Sequence, residues 1–258
     1  MSLVANALSL AGRLRERVAG RNHEDGVSAG SLPAEDADFA EIWAKCRPYT
    51  MTSFARGLAL FRAVRYLIEN DIPGDIVECG VWRGGSSMIA MASLRHFGAM
   101  TRRVVLFDTF KGMTEPGPAD VDLMGATAES IFAAQGNRPD GILCYATLDE
   151  VKKNIDIVGY PNALIEFVSG DIRKTVREFR PTPIALLRLD TDFYDSTKVE
   201  LEIFYPQLSE NGVLIIDDYG HWQGARRAVD EYLGVLRAAG SHAPLLTIID
   251  YTGRLAVK

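Results

Sequence analysis

Two short apolar runs, Ile184–Leu189 and residues 213–216, each pass directly into acid: Leu189-Asp190-Thr191-Asp192 and Ile216-Asp217-Asp218-Tyr219. Continuous apolar runs of this length, without alternation, suit strands covered on both faces, and hence a parallel sheet inside an α/β domain. Such a strand delivers the residues that follow it to the carboxyl edge of the sheet, where open α/β folds bind ligands. A single Asp after a strand is ordinary turn or helix-cap chemistry. Four carboxylates at two strand ends point instead to an oxygen-only site for a hard divalent cation, with Asp190, Asp217 and Asp218 as metal ligands, Mg²⁺ preferred and Mn²⁺ the alternative.

The rest of the chain fits that architecture. From Asp75 onward strand-like and helix-like segments alternate: Asp75–Cys79, Gly85–His96, then residues 104–107, 148–158, 164–168, Ile184–Leu189, 197–208, 213–216 and 224–238. Residues 245–249 and Arg254–Val257, joined by Asp250-Tyr251-Thr252-Gly253, read as a closing hairpin. The expected fold class is therefore α/β: a mostly parallel, seven-stranded, Rossmann-like sheet with helices on both faces and an antiparallel C-terminal hairpin strand. Two features stand outside the alternation. Residues 1–48 form an N-terminal extension, with an amphipathic helical stripe (Leu3, Ala7, Leu10, Leu14, Val18) and a polar linker over 21–38, ahead of a helix over 54–69. Residues 111–147, rich in Gly and Pro around a short helical stretch at 126–134, are an insertion of the kind that serves as a lid or substrate loop.

At 258 residues and 47% hydrophobic composition the chain can bury a full core, and the main domain is expected over 49–258. A net charge of −6 excludes a general nucleic-acid or anionic-membrane surface. Three cysteines without metal-ligand spacing, no apolar run of membrane-spanning length and arginines placed after the N-terminal apolar stretch argue for a cytoplasmic protein. The amphipathic stripe suits an accessory helix or a homo-oligomer contact.

Glu78-Cys79-Gly80-Val81-Trp82-Arg83-Gly84-Gly85-Ser86 sits at a strand-to-helix junction, where glycines admit close approach of a ligand to the backbone. The spacing is neither the Gly-x-Gly-x-x-Gly dinucleotide fingerprint nor a phosphate loop. Acidic Glu78 repels a pyrophosphate and favours a cationic cofactor, so S-adenosylmethionine (SAM) fits better than NAD. Asp108, at the end of the next strand in Phe107-Asp108-Thr109-Phe110, is placed to accept hydrogen bonds from ribose hydroxyls.

Taken together, Glu78–Gly85, Asp108-Thr109-Phe110-Lys111-Gly112, Leu187–Tyr194 and Ile215–Tyr219 resemble the macrocin O-methyltransferase (TylF/MycF) family, over most of the chain from Tyr49. The resemblance implies a class I, SAM- and Mg²⁺-dependent enzyme that methylates sugar hydroxyls on a glycosylated natural product or polysaccharide. It implies Asp190, Asp217 and Asp218 as metal ligands and Asp192 as general base. Glu78, Gly80 and Gly84 would follow the methionine part of SAM, with Gly85 and Ser86 completing the loop. Asp108 and Phe110 fall at the ribose, Asp171 at the adenine, and Thr50-Met51 in a segment folding over the cofactor. His221 and Tyr194 are candidate acceptor contacts. A catechol-like diol is the alternative acceptor, and a nucleotide-sugar or NAD oxidoreductase the alternative of another class. The chemistry is coherent. Deprotonating an alcohol (taking water's pKa of about 15.7 as a guide) by an Asp of about 3.9 is uphill by roughly 16 kcal/mol, a gap that a metal-bound hydroxyl narrows.

Overall fold

The computed structural model describes residues 32–135, 144–178 and 183–258. The N-terminal stripe at 3–18 lies outside them. Five parallel strands run β1 (Asp75–Cys79), β2 (Val104–Asp108), β3 (Ile165–Ser169), β4 (Ile184–Leu189) and β5 (Leu208–Ile216). The hairpin β6 (Thr247–Ile248) and β7 (Arg254–Val257) completes the sheet in the order β3-β2-β1-β4-β5-β7-β6, with β7 antiparallel to both β5 and β6. The reversal of strand order falls between β1 and β4, the switch point at which open α/β sheets open a crevice.

Eight α-helices are described: α1 (Phe39–Cys46), α2 (Phe54–Glu69), α3 (Gly85–His96), α4 (Ala128–Gln135), α5 (Leu148–Asp156), α6 (Ile172–Glu178), α7 (Tyr194–Phe204) and α8 (Gln223–Ala238). The two faces of the sheet carry separate cores. Ile76, Leu106, Leu186 and Ile215 pack under α1, α2 and α3. Val77, Phe107, Leu187 and Leu214 face Phe204 of α7 and Val229 and Leu233 of α8. Every residue of β4 is buried, as expected for a strand covered on both sides.

Some boundaries differ from expectation. Helix α1 lies inside the segment assigned above to the extension, yet its Phe39 and Cys46 belong to the main core. Asp36, in the stretch read as a linker, is buried and accepts hydrogen bonds from Arg62 and Arg65 of α2. Helix α7 begins at Tyr194, three residues earlier than expected, and neither Asp192 nor Ser196 caps it. The Tyr194 N–H instead donates to Oδ1 of Asp120, at 2.8 Å, from the insertion 74 positions away. No local pattern announces a cap from so far off. Strand β6 is two residues long because only Thr247 and Ile248 pair with β7.

Candidate active site

The residues that follow β1, β3, β4 and β5 are stitched to neighbouring strands by backbone bonds that continue the ladder past the strand ends. Gly80 N–H donates to Phe107 C=O (2.8 Å), Asp190 N–H to Cys79 C=O (2.8 Å), Asp217 N–H to Leu189 C=O (2.9 Å) and Gly170 N–H to Asp108 C=O (2.9 Å). The approach of the β1 and β4 loops is close enough that a Cβ on Gly80, whose φ is +85°, would stand 1.9 Å from the Asp190 carbonyl oxygen. A cavity of about 300 Å³ opens above this seam.

Among the residues singled out from sequence, Thr50, Met51, Gly80, Ser86, Asp108, Asp190, Asp192, Asp217, Asp218 and His221 line that one cavity. Asp190, Asp217 and Asp218 offer carboxylate oxygens that all lie within 4.8 Å of one another. Oδ2 of Asp218 is buried and meets no hydrogen-bond donor, while its neighbours Asp190 and Asp192 are also carboxylates. Burial and those two neighbours hold the Asp218 carboxyl well above its usual range. Burial and Asp190 push Asp192 up to about 7, against hydrogen bonds from Asp218 and the Trp222 indole. A crowd of desolvated carboxyls with an unmet oxygen is the donor set that a hard divalent cation satisfies. The residues fit the ion.

Asp192 has φ +66°, a left-handed conformation that Asp tolerates better than most side chains. Thr50 Oγ1 lies 3.3 Å from Ser86 Oγ, and the Tyr49–Thr50 backbone presses on Gly85, where a Cβ would be 2.5 Å from the Tyr49 carbonyl carbon. The 49–52 segment thus lies over the start of α3 and forms one wall. Asp108 does two jobs at once. It lines the cavity, and its carboxylate accepts from the backbone N–H of Val81 (2.7 Å), Trp82 (3.0 Å) and Phe110 (2.7 Å). Of about four acceptor positions on a carboxylate, three are taken by its own loops. Burial nevertheless outweighs these bonds and raises its pKa.

The remaining candidates stand outside the cavity lining. Glu78 is buried behind the loop, with one carboxylate oxygen accepting from Ser87 Oγ and the other from Arg188. Burial pushes its pKa up to about 7, against the pull of Arg188. Gly84 packs under Val151 and Ile155 of α5. Phe110 is in the core, its ring edge-on to Phe167 at 6.2 Å. Asp171 is engaged by Arg173 Nη2 at 2.7 Å, which lowers its pKa. Tyr194 directs its hydroxyl away to Glu231, at 2.6 Å. His221 does line the cavity, between the Trp222 and Tyr251 rings.

Sequence reasoning missed the cations behind the carboxylates. Arg188 donates to Asp190 and Asp217, and Arg56 of α2 pairs with Asp217 and with Asp250 (2.9 Å). Asp250 also accepts from Ser53 Oγ at 2.6 Å, tying the β6–β7 turn to the start of α2. The signal for Arg188 was present, since it is the one charge inside an otherwise apolar strand. Cys144 and Met113 of the insertion also line the cavity and carried no sequence signal. No helix among the described residues is long and apolar enough to cross a membrane.

Comparison with known proteins places this geometry. The family described as macrocin O-methyltransferase (TylF) matches residues 10–255. A Streptomyces olivaceus protein, 8-demethyl-8-(2,3-dimethoxy-alpha-L-rhamnosyl)-tetracenomycin-C 4'-O-methyltransferase, is 35% identical over 187 residues, covering 72% of this chain and 68% of its own. Demethyldecarbamoylnovobiocin O-methyltransferase of Streptomyces niveus is 30% identical over 247 residues, covering 95% and 88%. The solved structure of the O-methyltransferase NovP superposes with a TM-score of 0.69 at 29% identity, covering 81% of this chain and 82% of that one.

Proposed function

Because the chain belongs to the macrocin O-methyltransferase (TylF) family and is an O-methyltransferase, we propose that it moves a methyl group from SAM to a sugar hydroxyl of a glycosylated natural product or polysaccharide, assisted by Mg²⁺ or Mn²⁺. The observation that carries this reading is that three mutually close carboxylates and the Gly80–Asp108 loop pair share one cavity. The named acceptors of the two relatives favour a sugar or natural-product hydroxyl.

In this reading SAM supplies an electrophilic methyl group. A cation held there would supply charge that lowers the pKa of an acceptor hydroxyl. The residues do the rest. Gly80 lets the β4 loop close against the β1 loop at the cavity wall, and Asp108 holds the two loops that border the cavity. Asp190, Asp217 and Asp218 would hold the cation. Asp192, fixed by Trp222 at the cavity wall, would take the hydroxyl proton on a carboxylate oxygen. The 49–52 segment and Met113 would form side walls of the site. In-line transfer then depends on holding oxygen and methyl in reach.

The test has two steps. Calorimetric titration of SAM into the purified chain should show binding, and mass spectrometry should show a methylated rhamnosyl glycoside that is lost with EDTA and restored by Mg²⁺. A folded chain, freed of any copurified nucleoside, that binds no SAM would remove the reading. Turnover indifferent to EDTA would remove its metal half.

A further inference from the structure

Arg188 is 3% exposed next to the carboxyl end of the central strand β4, where an apolar side chain would avoid the cost of burying a charge. Its Nη1 donates to Glu78 Oε1 at 2.6 Å and to Asp190 Oδ2 at 2.7 Å, and its Nη2 to Asp217 Oδ1 at 2.6 Å. One planar fork therefore joins β1, the end of β4 and the end of β5. It leaves Oδ1 of Asp190 uncommitted by these bonds, and among the hydrogen bonds described it makes none to Asp218.

We propose that Arg188 is a positioning residue, which fixes the Asp190 and Asp217 carboxylates in a cation-binding orientation and anchors that orientation to the cofactor-side wall through Glu78. The inference rests on the metal reading above. A second role is open to a buried arginine in such a place, that of charge compensation alone, and the two roles differ in sign. A compensating cation opposes a second cation, so weakening it tightens metal binding. A positioning fork favours the metal, because it holds two ligands in the rotamers that coordination needs. Lysine separates the two. It retains the buried charge but presents a single ammonium that cannot reproduce the planar fork.

The experiment measures Mn²⁺ binding to the full chain, without cofactor, by calorimetry and by the paramagnetic resonance of free Mn²⁺. The proteins are wild type, Arg188→Lys, Arg188→Met and Glu78→Gln, with near-ultraviolet circular dichroism to verify folding. Arg188→Lys is expected to weaken Mn²⁺ binding about 10- to 100-fold, the usual loss when a partner of a metal ligand is removed. Glu78→Gln, which removes the fork's anchor and no ligand, is expected to weaken it several-fold, and Arg188→Met to bind no more tightly than wild type despite the more negative site. Unchanged binding in Arg188→Lys and Glu78→Gln, or tighter binding in Arg188→Met, overturns the inference. If Arg188→Met does not fold, the other two variants decide. A wild-type chain that binds no Mn²⁺ overturns the metal reading together with the inference.

Discussion

Asp192 shows how a residue's chemistry depends on what it is spared from doing. An acidic residue just before a helix is usually spent as an N-cap, bonding the first free N–H groups. Here Asp120 supplies that bond from the insertion, so Asp192 faces the cavity with its carboxyl crowded by Asp190 and Asp218. Substituting Asn is a clean test, since Asn accepts the same left-handed backbone and nearly the same volume. Asp192→Asn is expected to lower kcat by about 10²–10⁴-fold while SAM and Mn²⁺ binding persist, the loss typical of a missing general base. Full activity of this variant on a confirmed acceptor would reduce Asp192 to a structural role. From the sequence, both the base and the cap reading of this residue were open. The group that accepts from the Tyr194 N–H is Asp120, 74 positions from that tyrosine, and sequence spacing carries no trace of it.

At the scale of the element, β1 and β4 determine the site, and glycine at position 80 determines how closely they meet. An added Cβ at Gly80 would stand within 1.9 Å of backbone, at a φ that costs an L-residue about 1–2 kcal/mol in itself. Gly80→Ala is expected to destabilise by at least about 3 kcal/mol or to prevent folding, as urea denaturation would measure. Gly234→Ala, in α8 with nothing within 4 Å, is the control and should stabilise by about 0.5–1 kcal/mol. Equal stability of the two variants would contradict the close seam. Elements from β1 onward were legible because most keep a single period between polar or Gly/Pro-containing turns. Helix α1 was not read, although Phe39, Ile42, Trp43 and Cys46 have helical spacing, because its flanks are polar and acidic. Arg188 was visible as an anomaly in β4. Its purpose was not, because its three partners sit on two other strands and on a turn whose registers only the sheet reveals.

On the scale of the whole molecule, buried acids make stability depend on pH. Glu200 of α7 is fully buried beneath the loop after β4, with Thr191 Oγ1 donating to one oxygen at 2.9 Å and no donor at the other. Burial pushes its pKa up to about 8, from a usual 4.5. The folded chain therefore holds a proton that the unfolded chain releases, so this group's stabilisation is complete below about 4.5 and is lost as pH rises through about 8. Asp250 acts in the opposite sense. Burial raises its pKa, but Arg56, Ser53 and two backbone N–H groups outweigh this and hold it below its usual value, so its contribution is lost in acid. Glu200→Gln should gain stability over wild type as pH rises from 6 to 9, by on the order of 2 kcal/mol, in urea unfolding at the two pH values. A constant difference would show that Glu200 is ionised in the fold. The α/β class and the closing hairpin were legible from the order of periods. The insertion of β7 between β5 and β6 was not, since no local pattern tells a hairpin which strand it will border. The 111–135 segment bears on the site through Asp120 at the start of α7, the pairing of Asp122 with Trp222, the packing of Ala128 and Ile131 with Phe193 and Trp222, and Gly112, Met113 and Thr114 at the cavity wall. The carboxylates, by contrast, are braced from within the sheet. If that segment selects the acceptor, exchanging it between family members while keeping Asp120 and the residues packed on Trp222 is expected to change the methylated product and to leave Mn²⁺ binding in place.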